Sequence, residues 1–525
     1  MKFALYFLVW SATSSALAQG SVPARYTWEA SSDRIARSEE ISSLDDSAFG
    51  DRINYSNGSV GFEAIDISLP GNDKLAVELK RYYTVKNWRY LSVDGTLGDW
   101  MLDAPRISAT FATDWTISRG SPGARCSITA YPERPVALPS SINVSDYYQG
   151  VTLILSGGVS DLLVTSGATT KPADGNTYRW VTADGMSHVS CLPTIRNGSG
   201  EGFMAITPDG TRYWFDHMAQ YREAPIKHPI VHVEQSFTQY VHVRTNVLYA
   251  SRIEDRFGNH VTYNYSNAWD QPAKLDSIQA SDGRKLTFSY SGKFLASVTD
   301  GARTWSYDYA TTPGGRKTLT TVKLPDQSVW SIAFNGLTDA EIIYSELNVG
   351  EPQRSCTRNQ VPSNYLATPV GSITHPAGAV GVFTFSFLEH GRSNVPVDCS
   401  PIQTVPVGAR PGTGNNEGDD ENAYTISGYS LTLTKKQVSG PGLSTAEWLY
   451  TYAPGISVHR WPGTTFTYPR CVLSPASECA KPVCTSDTCA GFSQTTITGP
   501  NNSWERHTFG NSYRYNEGKL LKVER

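Results

Sequence analysis

Past residue 248 the chain alternates apolar and polar positions behind recurring tight turns. Asp255-Arg256-Phe257-Gly258 is followed by Val261, Tyr263 and Tyr265. Asp282-Gly283 is followed by Leu286, Phe288 and Tyr290, and Asp326-Gln327 by Trp330, Ile332 and Phe334. In all three the apolar residues stand three, five and seven places after the last turn residue. Asp300-Gly301 precedes Trp305, Tyr307 and Tyr309 with the same alternation displaced by one. Pro376-Ala377-Gly378 precedes Phe383, Phe385 and Phe387, and a weaker copy, Asp209-Gly210, precedes Tyr213 and Phe215. Side chains alternate across a strand, so these residues define one apolar face. Ile253, Ile278, Val298 and Val322 supply the strand before each turn. Asp-Gly suits the positive-φ positions of a two-residue hairpin turn. The pattern predicts β-hairpins of about 20–25 residues, stacked so that a continuous face is buried.

Composition agrees with an all-β chain. The 525 residues include 44 Gly and 28 Tyr, and charged residues are only 18%, against about 25% in typical domains. Aromatics at 11% exclude disorder by composition. Lys+Arg 45 against Asp+Glu 49 gives a net charge of −4. With pI near 6.2, a nucleic-acid partner that relies on a basic field is excluded.

Residues 1–18 read as a secretory signal peptide: Lys2, the apolar run Phe3 to Trp10, and the small-x-small site Ala16-Leu17-Ala18. The run is too short to span a bilayer. Export is therefore expected, to the periplasm, the cell surface or the extracellular space. Eight cysteines fit an oxidising compartment: Cys126, Cys191, Cys356, Cys399, Cys471, Cys479, Cys484 and Cys489. Disulfides are expected over a zinc site, because the last four lack paired C-x2-C spacing. Pairing in chain order would give Cys126–Cys191 and Cys356–Cys399. Sequence leaves the connectivity open.

A polar leader is expected over 19–48, a pre-repeat β-domain over 49–245 and the hairpin array over 246–345. A Cys-bearing loop with a repeat-like hairpin follows at 346–400. A linker over 401–423 contains Pro411-Gly412-Thr413-Gly414. Further strands with a Cys-rich loop, leading toward more repeats, occupy 424–525.

The hairpin unit resembles the YD repeat of the RHS (rearrangement hotspot) family. The residues that carry the resemblance are Asp255-Arg256-Phe257-Gly258-Asn259 with Tyr263-Asn264-Tyr265, Asp282-Gly283-Arg284 with Phe288-Ser289-Tyr290, and Asp300-Gly301 with Tyr307-Asp308-Tyr309. Asp66-Ile67-Ser68-Leu69-Pro70-Gly71-Asn72 with Arg81-Tyr82-Tyr83 looks like the segment that precedes the repeats in bacterial members. The resemblance is clearest over about 248–336 and looser over most of 49–525. It implies a β-ribbon wound into a hollow shell, which in complete bacterial members encloses a C-terminal toxin. Those members carry an Asp-Pro self-cleavage motif. This chain contains no Asp-Pro, so it is expected to lack a toxin domain of its own and to depend on a second shell chain or a toxin cargo.

Catalytic signatures are missing. There is no G-x-S-x-G, H-E-x-x-H, P-loop or G-x-G-x-x-G, and no cofactor is expected. His228, His232 and His242 are the densest histidines, without an acidic cluster to complete a metal site. Asp419-Asp420 lies in the linker, away from the defined carboxyl separation glycosidic chemistry needs. Asp255, Asp282, Asp300 and Asp326 give one carboxylate per turn, too few for calcium. Trp88, Trp100, Trp115, Trp180, Trp214, Trp305, Trp330 and Trp448 are read as core at strand spacing, with sugar or protein stacking as the functional alternative. The sequon Asn143-Val144-Ser145 matters only in a glycosylating host. The expected function is a structural β-shell for encapsulation or surface display, without catalysis. The alternatives are a wall-associated adhesin that binds a cell-surface glycan or protein and, weakest, a hydrolase on a β scaffold.

Overall fold

The computed structural model describes residues 25–26, 48–71, 74–88, 95–136, 138, 144, 147–155, 158–166, 169–231, 236–344, 362–366, 369–391, 427–453, 491–512 and 516–525. The signal segment, nearly all of the leader and the 401–423 linker lie outside them. The fold is all-β, as the alternation predicts: the one α-helical segment among the described residues is the single turn Asn335–Thr338.

Two sheet bodies carry the architecture. The first is a ring. Arg106–Phe111 pairs with Val151–Leu155, followed in order by Gly158–Val164, Tyr178–Thr182, His188–Leu192, Gly202–Ile206, Arg212–Arg222 and Arg244–Glu254, each antiparallel to the one before. Arg244–Glu254 then returns to the first strand, with Leu248 opposite Ile107. Phe203, Phe215, Trp180, Val189 and Leu248 are buried in the shared core.

The second body is a ribbon that leaves the ring from the same long strand. Arg252, Ile253 and Glu254 pair with Thr262, Val261 and His260. Antiparallel pairing then continues strand by strand through the hairpin array, Val370–Thr374, Val380–Gly391, Ser427–Gly440, Leu443–Ala453, Phe492–Thr498 and Trp504–Gly510, to Leu520–Glu524. The boundary expected at 245/246 therefore falls inside Arg244–Glu254, which serves both bodies. The segment expected as one pre-repeat domain divides into the ring and an inner sheet, Asp51–Ile53, Val60–Leu69, Val77–Thr84 and Met101–Leu102.

The hairpin turns differ from the two-residue turns expected. The Gly283 amide donates to the Ala280 carbonyl at 3.1 Å, and the Ala280 amide to the Arg284 carbonyl at 2.9 Å. Three residues, Ser281-Asp282-Gly283, thus form the loop, with Gly283 at φ +95°. A β-turn closed by one left-handed residue is the three-residue hairpin. The same bond pair recurs from Thr207, Asp255, Thr312, Leu324 and His375. Asp300-Gly301 is the exception. The Asp300 amide donates to the Arg303 carbonyl at 3.2 Å around a two-residue loop. Gly301 is the first residue of its loop whereas Gly283 is the last of its own, which accounts for the one-place displacement of the aromatics in the sequence.

Register slips recur within the strands as well. Pairing shifts between Asn264 and Tyr265, Ser289 and Tyr290, and Asp308 and Tyr309. Each is a bulge immediately before the third inward residue of the hairpin. Bulges bend a sheet and increase its twist, so the repeat carries its own curvature.

Candidate functional site

The aromatic face of the ribbon is the surface on which an encapsulating or adhesive role would rest. In three hairpins the first two inward residues are buried and the third is half-buried: Tyr263, Phe288 and Tyr307 sit in the core, with Tyr265, Tyr290 and Tyr309 packed at its margin. Phe334 is fully buried. What covers this face is the chain's own inner sheet. Phe62 lies 4.8 Å from Phe334 and 4.8 Å from Phe383, and Trp100 stacks on Phe334 at 5.9 Å. Burying each such ring contributes about 1.5–3 kcal/mol. The face over these strands is thus filled from within, and no open aromatic groove runs along it among the described residues.

Polar groups fasten the inner sheet to the ribbon. The Asp99 carboxylate accepts from the Thr338 hydroxyl at 2.6 Å, the Thr318 hydroxyl at 2.7 Å and the Leu319 amide at 2.9 Å. It is 3% exposed, and burial pushes its pKa up to about 6 against the pull of those donors. Arg81 and Asp66 form an ion pair at 2.8 Å with both side chains buried, and Arg81 lies over the Trp100 ring at 4.0 Å. Lys436 reaches Asp51 across the two sheets. The Arg284 guanidinium donates to the Leu69 and Leu75 carbonyls. These groups are structural ties within the fold.

The turn carboxylates are also committed locally. Asp255 Oδ1 accepts from the Phe257 amide at 2.8 Å and the Asn259 amide at 3.0 Å. The Asn259 side chain, with those amides, holds its pKa below the usual value. Asp282, Asp300 and Asp326 likewise accept from the amides of Arg284, Arg303 and Ser328. No group of three or more His, Cys, Asp or Glu side chains converges on a metal-sized space among the described residues. His242 is exposed. His228 lies on Ile226–Val231, and His232 falls outside the described residues, as do Asp419-Asp420 and Asn143.

Cys126 and Cys191 are bonded, with 5.4 Å between Cα atoms, tying the long loop after Arg106–Phe111 to a ring strand. The Trp180 indole donates to the Cys126 carbonyl at 2.9 Å beside it. The other six cysteines lie outside the described residues. Of the eight tryptophans considered for stacking, Trp88, Trp100, Trp115, Trp180 and Trp305 are buried, while Trp214, Trp330 and Trp448 are half-buried.

One surface hollow stands at the junction of ring and array. It is lined by Arg196, Asn197, His217, Asn264, Ser266 and Asn267 over Tyr263 and Tyr265, with a volume of about 290 Å³. His217 stacks on Tyr265 at 4.6 Å. Its Nε2 lies 2.9 Å from Asn267 Oδ1 and 3.2 Å from the Asn197 amide nitrogen. Burial lowers the His217 pKa and so favours the neutral ring. Arg196 pairs with Asp216 at 3.1 Å. Sequence reasoning missed this group because its members come from three separated segments. The one signal was the loop 266–274, longer than the other hairpin turns.

No protein-family model matches the chain, and no curated protein does. Among the solved structures that align with it are two at 11% identity each. "Crystal Structure of TcdB2-TccC3" aligns over 70% of this chain with a TM-score of 0.29. "Crystal Structure of TcdB2-TccC3 without hypervariable C-terminal region" aligns over 92% with a TM-score of 0.32. The chain covers 21% and 27% of those two chains. The class of the fold rests on its own strand pairings: an all-β protein in which a large sheet curls from a closed ring.

Proposed function

We propose that this chain builds one end of an RHS-type β-shell and acts as a structural protein without catalysis of its own. The observation that carries the reading is the uninterrupted antiparallel pairing from the ring to Leu520–Glu524, with a curving bulge in successive hairpins. The ring and inner sheet would close the end, and the ribbon would form the wall. Leu520, Leu521 and Val523 are exposed on Leu520–Glu524. The partners in this reading are a chain that supplies further shell repeats and a toxin cargo. Export through residues 1–18 would place the assembly in the periplasm, on the surface or outside the cell.

The test is co-expression with a neighbouring reading frame that encodes further repeats and a toxin domain. A hollow particle in negative-stain images, with the toxin domain protected from protease, is the expected result. Separate migration of the two chains with the toxin digested at its free rate would overturn the reading. Mass spectrometry of the exported chain should find Gln19 as its first residue.

A further inference from the structure

The junction hollow differs from the other polar clusters in being open to solvent. Asn197, His217 and Asn267 bond one another and the nearby backbone, Ser266 donates to Asp276, and Arg196 is balanced by Asp216, so the groups left to a ligand are the Arg196 terminal nitrogens and the Asn264 side-chain oxygen. A site with that inventory matches a ligand with both donors and acceptors and no net charge. The Asn264 amide nitrogen is bonded to Ser277, while its carbonyl oxygen has no bond among the described residues. The Arg196 guanidinium uses only Nε on Asp216, which leaves both terminal nitrogens directed elsewhere.

A tryptophan stands in the adjoining loop, next to the residues that line the hollow. Trp269 is 36% exposed, two residues from Asn267. A methyl group added at Gly198, next to Asn197, would meet the Trp269 side chain at 3.4 Å. Glycine here allows the indole to lie against the loop that carries Arg196 and Asn197. The loop bearing Trp269 is held by the Gln220 amide on the Gln271 carbonyl at 3.1 Å and by the Asn267 side-chain amide on the Met218 carbonyl at 3.1 Å. Platform and polar groups therefore keep a fixed relation. Indole presents an apolar face and suits a ligand with one C–H face and hydroxyl edges. The volume is at the low end of ligand pockets, which run about 300–1,000 Å³, and so fits one small unit.

We propose that the hollow of Arg196, Asn197, His217, Asn264 and Asn267, with Trp269 beside it, is a subsite for one uncharged sugar unit. It is independent of the shell reading.

Saturation-transfer NMR on the full chain tests it, using glucose, galactose, mannose and N-acetylglucosamine at up to about 20 mM, with glucose 6-phosphate as the charged probe. Saturable binding of at least one neutral sugar is expected. It should weaken by about tenfold or more in Trp269→Ala and in Asn264→Ala. Trp504→Ala removes an exposed indole on the far ribbon strand and should leave binding unchanged. Circular dichroism and the denaturation midpoint confirm that each variant is folded. Absence of saturable binding to all four sugars overturns the proposal. So does retained binding in both folded hollow variants, equal loss in Trp504→Ala, or tighter binding of glucose 6-phosphate than of glucose.

Discussion

The Tyr290 hydroxyl donates to the Leu275 carbonyl at 2.7 Å, reaching back one hairpin. Tyr309 does the same to Leu295 at 2.9 Å, Tyr265 to Ala250 at 3.3 Å and Tyr452 to Leu433 at 2.7 Å. In the first three the tyrosine stands immediately after a bulge, where the ladder is locally disrupted. Its hydroxyl satisfies a carbonyl that the bent sheet would leave poorly paired. Tyr290→Phe should therefore lower stability by about 1–2 kcal/mol through the unpaired carbonyl. Tyr290→Ala should lose about 3–5 kcal/mol by adding a cavity. Urea denaturation midpoints separate the two.

The hairpin turns supply an internal comparison. Gln327 occupies, at φ +72°, the left-handed position that Gly283 fills in a neighbouring hairpin. A side chain there carries strain that glycine avoids. Gln327→Gly should stabilise the chain by about 0.5–1 kcal/mol, and Gly283→Ala should destabilise it by about 1 kcal/mol. A Cβ at Gly283 meets nothing within 4 Å, so that loss is conformational. Opposite shifts of the denaturation midpoint would check both.

Asp99 gives a pH signature of known sign. Its folded pKa is raised to about 6, above the unfolded value near 3.8. The folded chain then binds that proton more tightly. The contribution is fully present below about pH 4 and is lost as pH rises through about 6. Wild-type stability measured against Asp99→Asn should increase by about 1–3 kcal/mol from pH 7 to pH 4. A difference that stays flat across this window would count against a buried titrating carboxylate at the latch.

The Cys126–Cys191 bond closes a loop of 65 residues. Cys126→Ser with Cys191→Ser should lower stability by about 2–4 kcal/mol. Alkylation of the denatured chain should label both thiols only after reduction.

The array was readable from sequence because each aromatic triplet repeats a local geometry at a fixed offset from its turn. Even the displaced copy at Asp300-Gly301 had a local cause, a glycine that opens its loop instead of closing it. The ring was not readable as a ring, since its closure depends on Leu248 meeting Ile107 across a long separation. Nor was the filling of the inner face. Phe62, Tyr83 and Trp100 were visible as apolar residues, but only the fold brings them onto Phe334. The hollow was hidden for the same reason: Asn197, His217 and Asn267 are brought together by the junction of two sheet bodies.

The inner sheet also ties early residues to late ones. Residues 51–102 precede every strand of the ribbon in the sequence. Lys436 meets Asp51 across 385 residues, and Thr432 meets Asn57 across 375. The early segment is therefore a mandrel in the finished fold: the aromatic cluster on Phe62, Tyr83 and Trp100 is the surface on which the ribbon packs.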